Sequence, residues 1–584
     1  MNKKRPEPKS GVIQSLSSDL FEGIGKKTAE AIVETLGEQA ISKIVNDETI
    51  LSQVPNLRKD VAKSLYETLK EHEGLDEIMI FLSDCGFGPK LSMRIYQTYK
   101  SDTIEMIKEN PYQLVHDIEG IGFKRADELG AIRGIKGSHP ERIRAGALYV
   151  LTEQSMQNGH VYLNYESYVK SVKELLEGDS KIDESLIAHE IIHLDEEEKL
   201  VLDKERVYLP SLYYAEKGLA KNVHRLLQST DTETTYSEEE FATALATIEQ
   251  KLKIEYAESQ REAIKTALSS PLMLLTGGPG TGKTTIIQGI VEVYAQLHDL
   301  PLESTAYKQE EPYPFILAAP TGRAAKRMSE ATGLPASTIH RLLGWKGEWF
   351  EHDEDNPIEG KLLIVDEVSM VDIWLANQLF KSIPKGMQVV LVGDEDQLPS
   401  VQPGQVLKDL LDVNLIPTVQ LSNVYRQAEG SSIIELAHAI KKGILPDDFT
   451  EATADRRFFP CETDEVADVV ERICLLTMKK GFSMHDIQVL APIYKGKAGV
   501  EKLNVRLQNL FNPKNEQKRE LEYRETIFRT GDKVLQLVND SENQVFNGDI
   551  GVISAIFFAK ETEEKEDQVV VTFDGKDVIY TKNT

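Results

Sequence analysis

From residue 272 the chain alternates short apolar runs with longer amphipathic stretches. The runs are Leu272–Leu275, Phe315–Ala319, Leu362–Val365, Val389–Val392 and Ile487–Leu490, each ending in polar or glycine-rich residues. An uninterrupted apolar run fits a strand buried on both faces, and helical stretches between such strands predict βαβ units in a parallel sheet. Ligands of such sheets bind beyond the carboxyl ends of the strands. Candidate chemistry is therefore sought at those ends.

Before residue 140 the pattern is different. Gly-X-Gly triplets occur at Gly23-Ile24-Gly25, Gly86-Phe87-Gly88 and Gly120-Ile121-Gly122, each between two short helical patterns. Pro55-Asn56-Leu57 occupies the remaining slot, so the intervals are 32, 31 and 34 residues. A period near 30 with a helix on each side of a tight turn predicts repeated supersecondary units over residues 1–135. Residues 136–228 read as mostly helical with short strands such as Val161-Tyr162-Leu163, and 229–240 as a linker, since Ser229–Thr235 has no apolar periodicity.

Composition narrows the class only a little. At 584 residues the chain needs several cores. Its 41% hydrophobic and 28% charged content is that of a soluble globular protein, and no run is long enough to span a membrane. Cys85, Cys461 and Cys474 lack metal spacing and read as small hydrophobes in a reducing compartment, which makes the cytoplasm the expected location. The net charge of −28 argues mildly against a nucleic-acid partner. Much of the acid is clustered, at 195–198, 238–240, 351–355 and 561–567, so a local basic track remains compatible with it.

Two strand ends carry recognisable chemistry. Gly277-Gly278-Pro279-Gly280-Thr281-Gly282-Lys283-Thr284 follows the run Leu272–Leu275 and has the GxxxxGK[ST] pattern of a P-loop. Glycines let backbone N–H groups turn inward around phosphate oxygens at a helix N-terminus. Gly278, Pro279, Gly280, Thr281, Gly282, Lys283, Thr284 and Thr285 are the candidate phosphate-binding residues. Lys283 would neutralise the β- and γ-phosphates, and Thr284 would ligate Mg²⁺. The run Leu362–Val365 delivers Asp366 and Glu367, with Asp366 lying 83 residues after Lys283. Asp366 is suited to hold Mg²⁺ and Glu367 to accept a proton from an attacking water.

Further segments resemble superfamily 1 helicases. Gly393-Asp394-Glu395-Asp396-Gln397 is similar to motif III, whose glutamine senses the γ-phosphate. Val424-Tyr425-Arg426-Gln427 resembles motif IV, which implies a γ-phosphate role for Arg426. Glu258-Ser259-Gln260-Arg261 resembles the Q motif, implying that Gln260 reads adenine. Ala319–Met328 resembles motif Ia of the RecD branch, and Ser337–Leu343 the DNA-contacting motif after it. Through these the resemblance implies DNA contacts at Pro320, Thr321, Arg323, His340 and Arg341. Gln488–Gly496 and Val545–Gly551 resemble later segments of the family, adding Lys495 and Asn547. The N-terminal triplets resemble helix-hairpin-helix units, which would put Gly23, Gly25, Gly120 and Gly122 at DNA phosphates. Glycine-terminated helix packing remains the alternative, and the Pro55 slot, lacking both glycines, reads as structural.

The whole resembles stand-alone RecD-like helicases of superfamily 1B. That implies an α/β fold with RecA-like parallel-sheet motor domains, the second incomplete, behind an all-α helix-hairpin-helix region. The corresponding domains are a winged-helix-like 136–228, a first motor domain 241–412, a partial second motor domain 413–545 and an SH3-like insertion 546–584. A β-hairpin pin is expected at about 344–360, where Trp345, Trp349 and Phe350 read either as hairpin packing or as a base-stacking wedge. The resemblance implies ATP and Mg²⁺ as cofactors, single-stranded DNA and duplex junctions as partners, 5′ to 3′ translocation and a monomer. Motifs V and VI do not occur before Thr584, so a longer parent chain is expected. A DNA-binding scaffold with little ATP turnover is the alternative function, while Gln397 and the repeats argue against a nucleotide kinase or GTPase.

Overall fold

The computed structural model describes residues 24–584 except 38–39, 41–42, 45–46, 56, 72–74, 119, 178–180, 229–235, 279, 309–310, 422–430, 525, 541–542, 544 and 583–584, and before residue 24 it describes 12, 13 and 16. The chain forms two compact units, 1–213 and 214–584. Of the expected linker 229–240, residues 229–235 lie outside the described residues, and its end is corrected: Ser237 caps the helix Glu238–Leu252, so 238–240 are helical.

In the first unit the triplets start helices. Gly25, Gly88 and Gly122 are the N-caps of Lys26–Leu36, Pro89–Tyr99 and Phe123–Ile132. The middle residues Ile24, Phe87 and Ile121 are buried, so each turn is anchored in the core by its apolar centre. Gly86 (φ 81°) and Gly120 (φ 95°) sit in the left-handed region that glycine enters without steric cost. Gly23 lies outside the described residues. The Arg125 guanidinium donates to the Gly86 carbonyl and lies 4.9 Å from the centre of the Phe87 ring, locking the second and third hairpins together. Beyond them, helices Pro140–Asn158, Tyr165–Leu176 and Glu184–Glu196 share a core with a three-stranded antiparallel sheet. Its strands are β1 (Tyr162–Asn164), β2 (Val201–Asp203) and β3 (Arg206–Tyr208), in the order β1-β3-β2.

The second unit contains a six-stranded parallel sheet. Its strands are β4 (Leu272–Gly277), β5 (Phe315–Ala319), β6 (Ala336–Thr338), β7 (Leu362–Val365), β8 (Gln388–Gly393) and β9 (Thr418–Leu421), in the order β6-β5-β7-β8-β4-β9. Four of the five apolar runs are strands of this sheet, and every residue of β4, β7 and β8 is buried. Because β7, β8 and β4 are adjacent, their carboxyl ends bring Asp366, Asp394 and Gly277 onto one edge.

Expectations about boundaries and strands are corrected here. The boundary at 412 falls inside this sheet, since β9 lies beyond it and pairs with Leu274–Gly277. Ile487–Leu490 is not a strand: the Lys533 ammonium takes the Ile487 carbonyl at 3.0 Å, Leu490 is 88% exposed, and among the described residues no strand pairs with the run. Between 431 and 515 the described residues form helices and turns. The C-terminal antiparallel sheet starts before 546, with β12 (Lys533–Leu535) pairing to β13 (Ile550–Phe557), followed by β14 (Gln568–Phe573) and β15 (Lys576–Tyr580). Ahead of it, β10 (Glu520–Tyr523) and β11 (Thr526–Arg529) make a separate hairpin.

Candidate functional site

The loop after β4 is shaped from inside. Gly280 (φ 77°) and Gly282 (φ 84°) take left-handed backbone, and Gly282 caps the helix Lys283–Leu297. A methyl group on Gly277 would meet Thr281 Oγ1 at 2.8 Å and Leu421 Cβ at 2.9 Å. The Thr281 hydroxyl donates to the Gly278 carbonyl at 2.8 Å, and the Lys283 ammonium donates to the carbonyls of Gly277 and Gly278. Thr284 and Thr285 are exposed at the helix start. Pro279 lies outside the described residues. Gln260 is brought to the loop: its Oε1 accepts the Ala257 N–H at 3.0 Å, and its Nε2 would lie 2.7 Å from a methyl on Gly282.

Beside the loop, Asp366 and Glu367 form a second cluster. Burial pushes the Asp366 carboxyl above its ordinary value, opposed by the Glu367 N–H bonded to Oδ1 at 2.8 Å and by the Lys283 charge. Glu367 also has a raised pKa, first from burial and then from Asp366 and Asp394, with Lys283 and Arg327 opposing. Its backbone is left-handed (φ 55°), an unfavourable conformation for a residue with a side chain. Asp394 is buried, and its carboxylate accepts the Asp396 N–H and, at 3.3 Å, Gln397 Nε2. It therefore holds Gln397 at the strand end and adds negative charge near Glu367. Asp394 and Arg327 were not picked out from the sequence, although both stand inside the quoted motifs. Arg426 lies outside the described residues.

A third grouping joins distant segments. Arg323 Nη1 donates to the Gly548 carbonyl at 3.3 Å, and Lys326 pairs with Asp574 at 2.7 Å. A methyl on Gly322 would lie 2.3 Å from the Phe546 ring, so only glycine permits this contact. Pro320, Thr321 and Arg323 thus stand next to Asn547, while Thr321 Oγ1 caps the helix Gly322–Thr332. Arg341 is exposed, and the His340 ring lies 6.0 Å from Phe350 and 6.3 Å from Trp345. Partial burial there draws the His340 imidazole below its ordinary value, opposed by Asp372. The expected pin hairpin is reduced to one antiparallel bridge, Trp345 to Phe350. Beyond it the Glu351 and His352 N–H groups both bond back to the Leu343 carbonyl, the His352 carbonyl accepts from Gln378 Nε2 (2.7 Å) and Ser382 Oγ (2.8 Å), and Asp353 closes an Asx turn. Lys495 is exposed on the tight turn ahead of the helix Val500–Phe511.

A phosphate-cradling loop on a parallel sheet, with two carboxylates and a carboxylate-held glutamine at neighbouring strand ends, defines a P-loop NTPase of the RecA-like helicase kind. Residues 260–403 match an AAA domain family, 19–71 a SAM-like helix-hairpin-helix tandem, 71–162 the ATP-dependent RecD2 DNA helicase HHH domain and 503–573 the ATP-dependent RecD-like DNA helicase SH3 domain. The chain is 31% identical to the ATP-dependent RecD2 DNA helicase of Deinococcus radiodurans, over 96% of this chain and 76% of that one. It is 39% identical to the RecD subunit of the RecBCD enzyme of Mycobacterium tuberculosis, over 32% of this chain and 34% of that one. A solved Pif1 helicase at forked duplex DNA aligns with 56% of this chain and 76% of its own, at 21% identity and a TM-score of 0.33. The chain belongs to the ATP-dependent RecD2 DNA helicase family, and it is an enzyme of the DNA helicase class.

Proposed function

We propose that the chain couples Mg²⁺-dependent ATP hydrolysis to 5′ to 3′ movement on single-stranded DNA, opening duplex junctions as a monomer in the cytoplasm during repair or recombination. The observation that carries this reading is the meeting of Lys283, Asp366, Glu367 and Gln397 at the adjacent ends of β4, β7 and β8. These residues fit a triphosphate with a divalent ion: a methyl on Gly278 would meet nothing within 4 Å, leaving room there for phosphate oxygens, and the exposed Thr284 hydroxyl and the Asp366 carboxylate offer two oxygen ligands. When bound, the ion neutralises developing phosphate charge.

The chain's own residues do the rest. Lys283 exchanges the loop carbonyls for β- and γ-phosphate oxygens, a stronger charge-assisted pairing. Glu367 accepts the proton of the attacking water on its carboxylate, and its raised pKa makes it a better base than an exposed glutamate. Gln397, steadied by Asp394, orients toward the γ-phosphate, Arg426 takes the γ-phosphate role that its motif resemblance implies, and Gln260 faces the base. Pro320, Thr321, Arg323, His340, Arg341, Lys495 and Asn547 line the strand, and Gly23, Gly25, Gly120 and Gly122 bring hairpin amides to duplex phosphates. The test uses a duplex with either a 5′ or a 3′ single-stranded tail. ATP-dependent unwinding of the 5′-tailed substrate alone is expected. Preference for the 3′ tail overturns the direction, and absence of DNA-stimulated ATP turnover overturns the motor reading.

A further inference from the structure

In the first unit, the helix Glu184–Glu196 carries His189 and His193 one turn apart. Their Nε2 atoms face each other at 3.2 Å, with the rings nearly perpendicular at 81°. The i, i+4 spacing puts the two side chains on one face, and both are accessible to solvent. Two imidazole nitrogens on one tetrahedral zinc ion, each about 2.05 Å from the metal, stand about 3.3 Å apart. Without an ion the same separation is an N–H···N hydrogen bond in which His189 Nε2 donates to His193 Nε2; an ion takes the place of that proton, with His189 keeping its own on Nδ1. On the far side, His193 Nδ1 lies 3.1 Å from Glu196 Oε2. With Nδ1–H donating to that carboxylate, the lone pair of His193 is left on Nε2, facing His189. A carboxylate behind a ligating histidine fixes its tautomer and raises its basicity.

We propose that His189 and His193 chelate one borderline divalent transition-metal ion, Zn²⁺ or its neighbours Ni²⁺ and Cu²⁺, with Glu196 as the positioning residue. Imidazole suits these ions, whereas Mg²⁺ and Ca²⁺ require oxygen ligands. Among the described residues no third His, Cys, Asp or Glu completes the set, so water fills the remaining positions. The five residues His189-Glu190-Ile191-Ile192-His193 have the His-Glu-X-X-His order of zinc hydrolases. Hydrolysis is not part of the proposal. Glu190 belongs to the buried stripe with Ile187, Ile191 and Leu194, so its carboxylate is not available to a water on the histidine face. The ion instead staples the last turns of the helix. That helix leads directly into the β2–β3 hairpin, where Asp195 Oδ1 accepts the Leu202 N–H at 2.9 Å.

The site is tested by titrating the full-length, untagged chain with ZnCl₂ by calorimetry, alongside His189→Ala, His193→Ala and Glu196→Gln. The wild-type chain is expected to show one more Zn²⁺ equivalent than either histidine variant, and Glu196→Gln to bind that equivalent about 10-fold more weakly. Hydrogen exchange of the amides of 189–196 is expected to slow on Zn²⁺ addition in the wild type and, at about tenfold higher Zn²⁺, in Glu196→Gln, but in neither histidine variant. Thermal unfolding without Zn²⁺ is expected to be equal in all four proteins, a check on their folding that does not depend on the metal. Identical Zn²⁺ stoichiometry in wild type and both histidine variants overturns the proposal. So does protection that appears equally in the two histidine variants.

Discussion

The P-loop and the N-terminal hairpins both place glycines at a helix start, yet the two sets are held for opposite reasons. In the P-loop the demand comes from within: Gly280 and Gly282 need left-handed backbone, and a methyl on Gly277 or Gly282 strikes Thr281, Leu421 or Gln260. In the hairpins, Gly25, Gly88 and Gly122 have ordinary φ of −78°, −75° and −85°, and a methyl on any of them meets nothing within 4 Å. Their smallness serves no internal contact. What it leaves is unobstructed backbone for a partner approaching from outside, which is what amide recognition of a phosphate requires. The second hairpin is the instructive exception. Its helix opens with Pro89, which has no N–H to offer, and its Gly86 carbonyl is taken by Arg125. It is built for packing against the third hairpin.

The largest effect separating the two sets comes from the charge inside the first. Lys283→Ala is expected to abolish ATP turnover, by more than about 1,000-fold, with duplex binding by the hairpins unchanged. The fold should survive, since the ammonium's partners are two loop carbonyls that water can satisfy. ATPase rates at saturating single-stranded DNA, with a parallel filter-binding assay, check both halves. Glu367→Gln follows, with an expected loss of about 10²- to 10⁴-fold in turnover and retained nucleotide affinity, because the amide cannot take the water's proton. Loss of affinity instead would show Glu367 to be part of the scaffold.

A matched pair of glycine changes sharpens the contrast. Gly282→Ala forces a side chain into left-handed backbone, at about 1–2 kcal/mol, and also displaces Gln260, so nucleotide affinity and stability should fall together. Gly122→Ala should cost about 1 kcal/mol or less as a changed cap and leave ATP binding alone. Its expected signature is weaker duplex binding with a shallower dependence on salt. Equal duplex affinity in Gly122→Ala would assign the hairpin glycines to packing alone.

The parts that were legible in the sequence are those where side-chain burial and backbone demand coincide. β4, β7 and β8 are buried along their whole length, so an apolar run could only be a strand, and the chemistry at their ends followed. β9 is an edge strand with alternating burial, and Thr-Val-Gln-Leu carries no such signal. Ile487–Leu490 had the signal without the neighbour: a strand exists only where another takes its backbone groups, and here Lys533 takes one of them. Gln260 was found as a candidate base reader, but its bond to the Ala257 N–H depends on a helix start that single-residue reading does not weigh. The Gly322–Phe546 contact joins residues more than 200 positions apart, and nothing local announces it.

The smallest effect concerns how the buried charges are tuned. Glu367 must be ionised to act as a base, and burial, Asp366 and Asp394 all raise its pKa above the ordinary glutamate value of 4.5. Turnover is therefore lost as pH falls through that raised value, at a higher pH than for an exposed glutamate. Asp394→Asn removes one of the raising charges, so Glu367 stays ionised further into acid and the acid limb moves to lower pH. The Asn amide has one acceptor oxygen where the carboxylate has two, so it keeps either the Gln397 Nε2 or the Asp396 N–H bond, and the plateau rate is expected to fall while the limb shifts. Arg327→Ala removes a lowering charge, and the same reasoning moves the limb to higher pH. Opposite displacements of the two pH–rate profiles, measured at saturating Mg²⁺ and DNA, are the expected result. Displacement of both in one direction would show that a group other than Glu367 governs the limb.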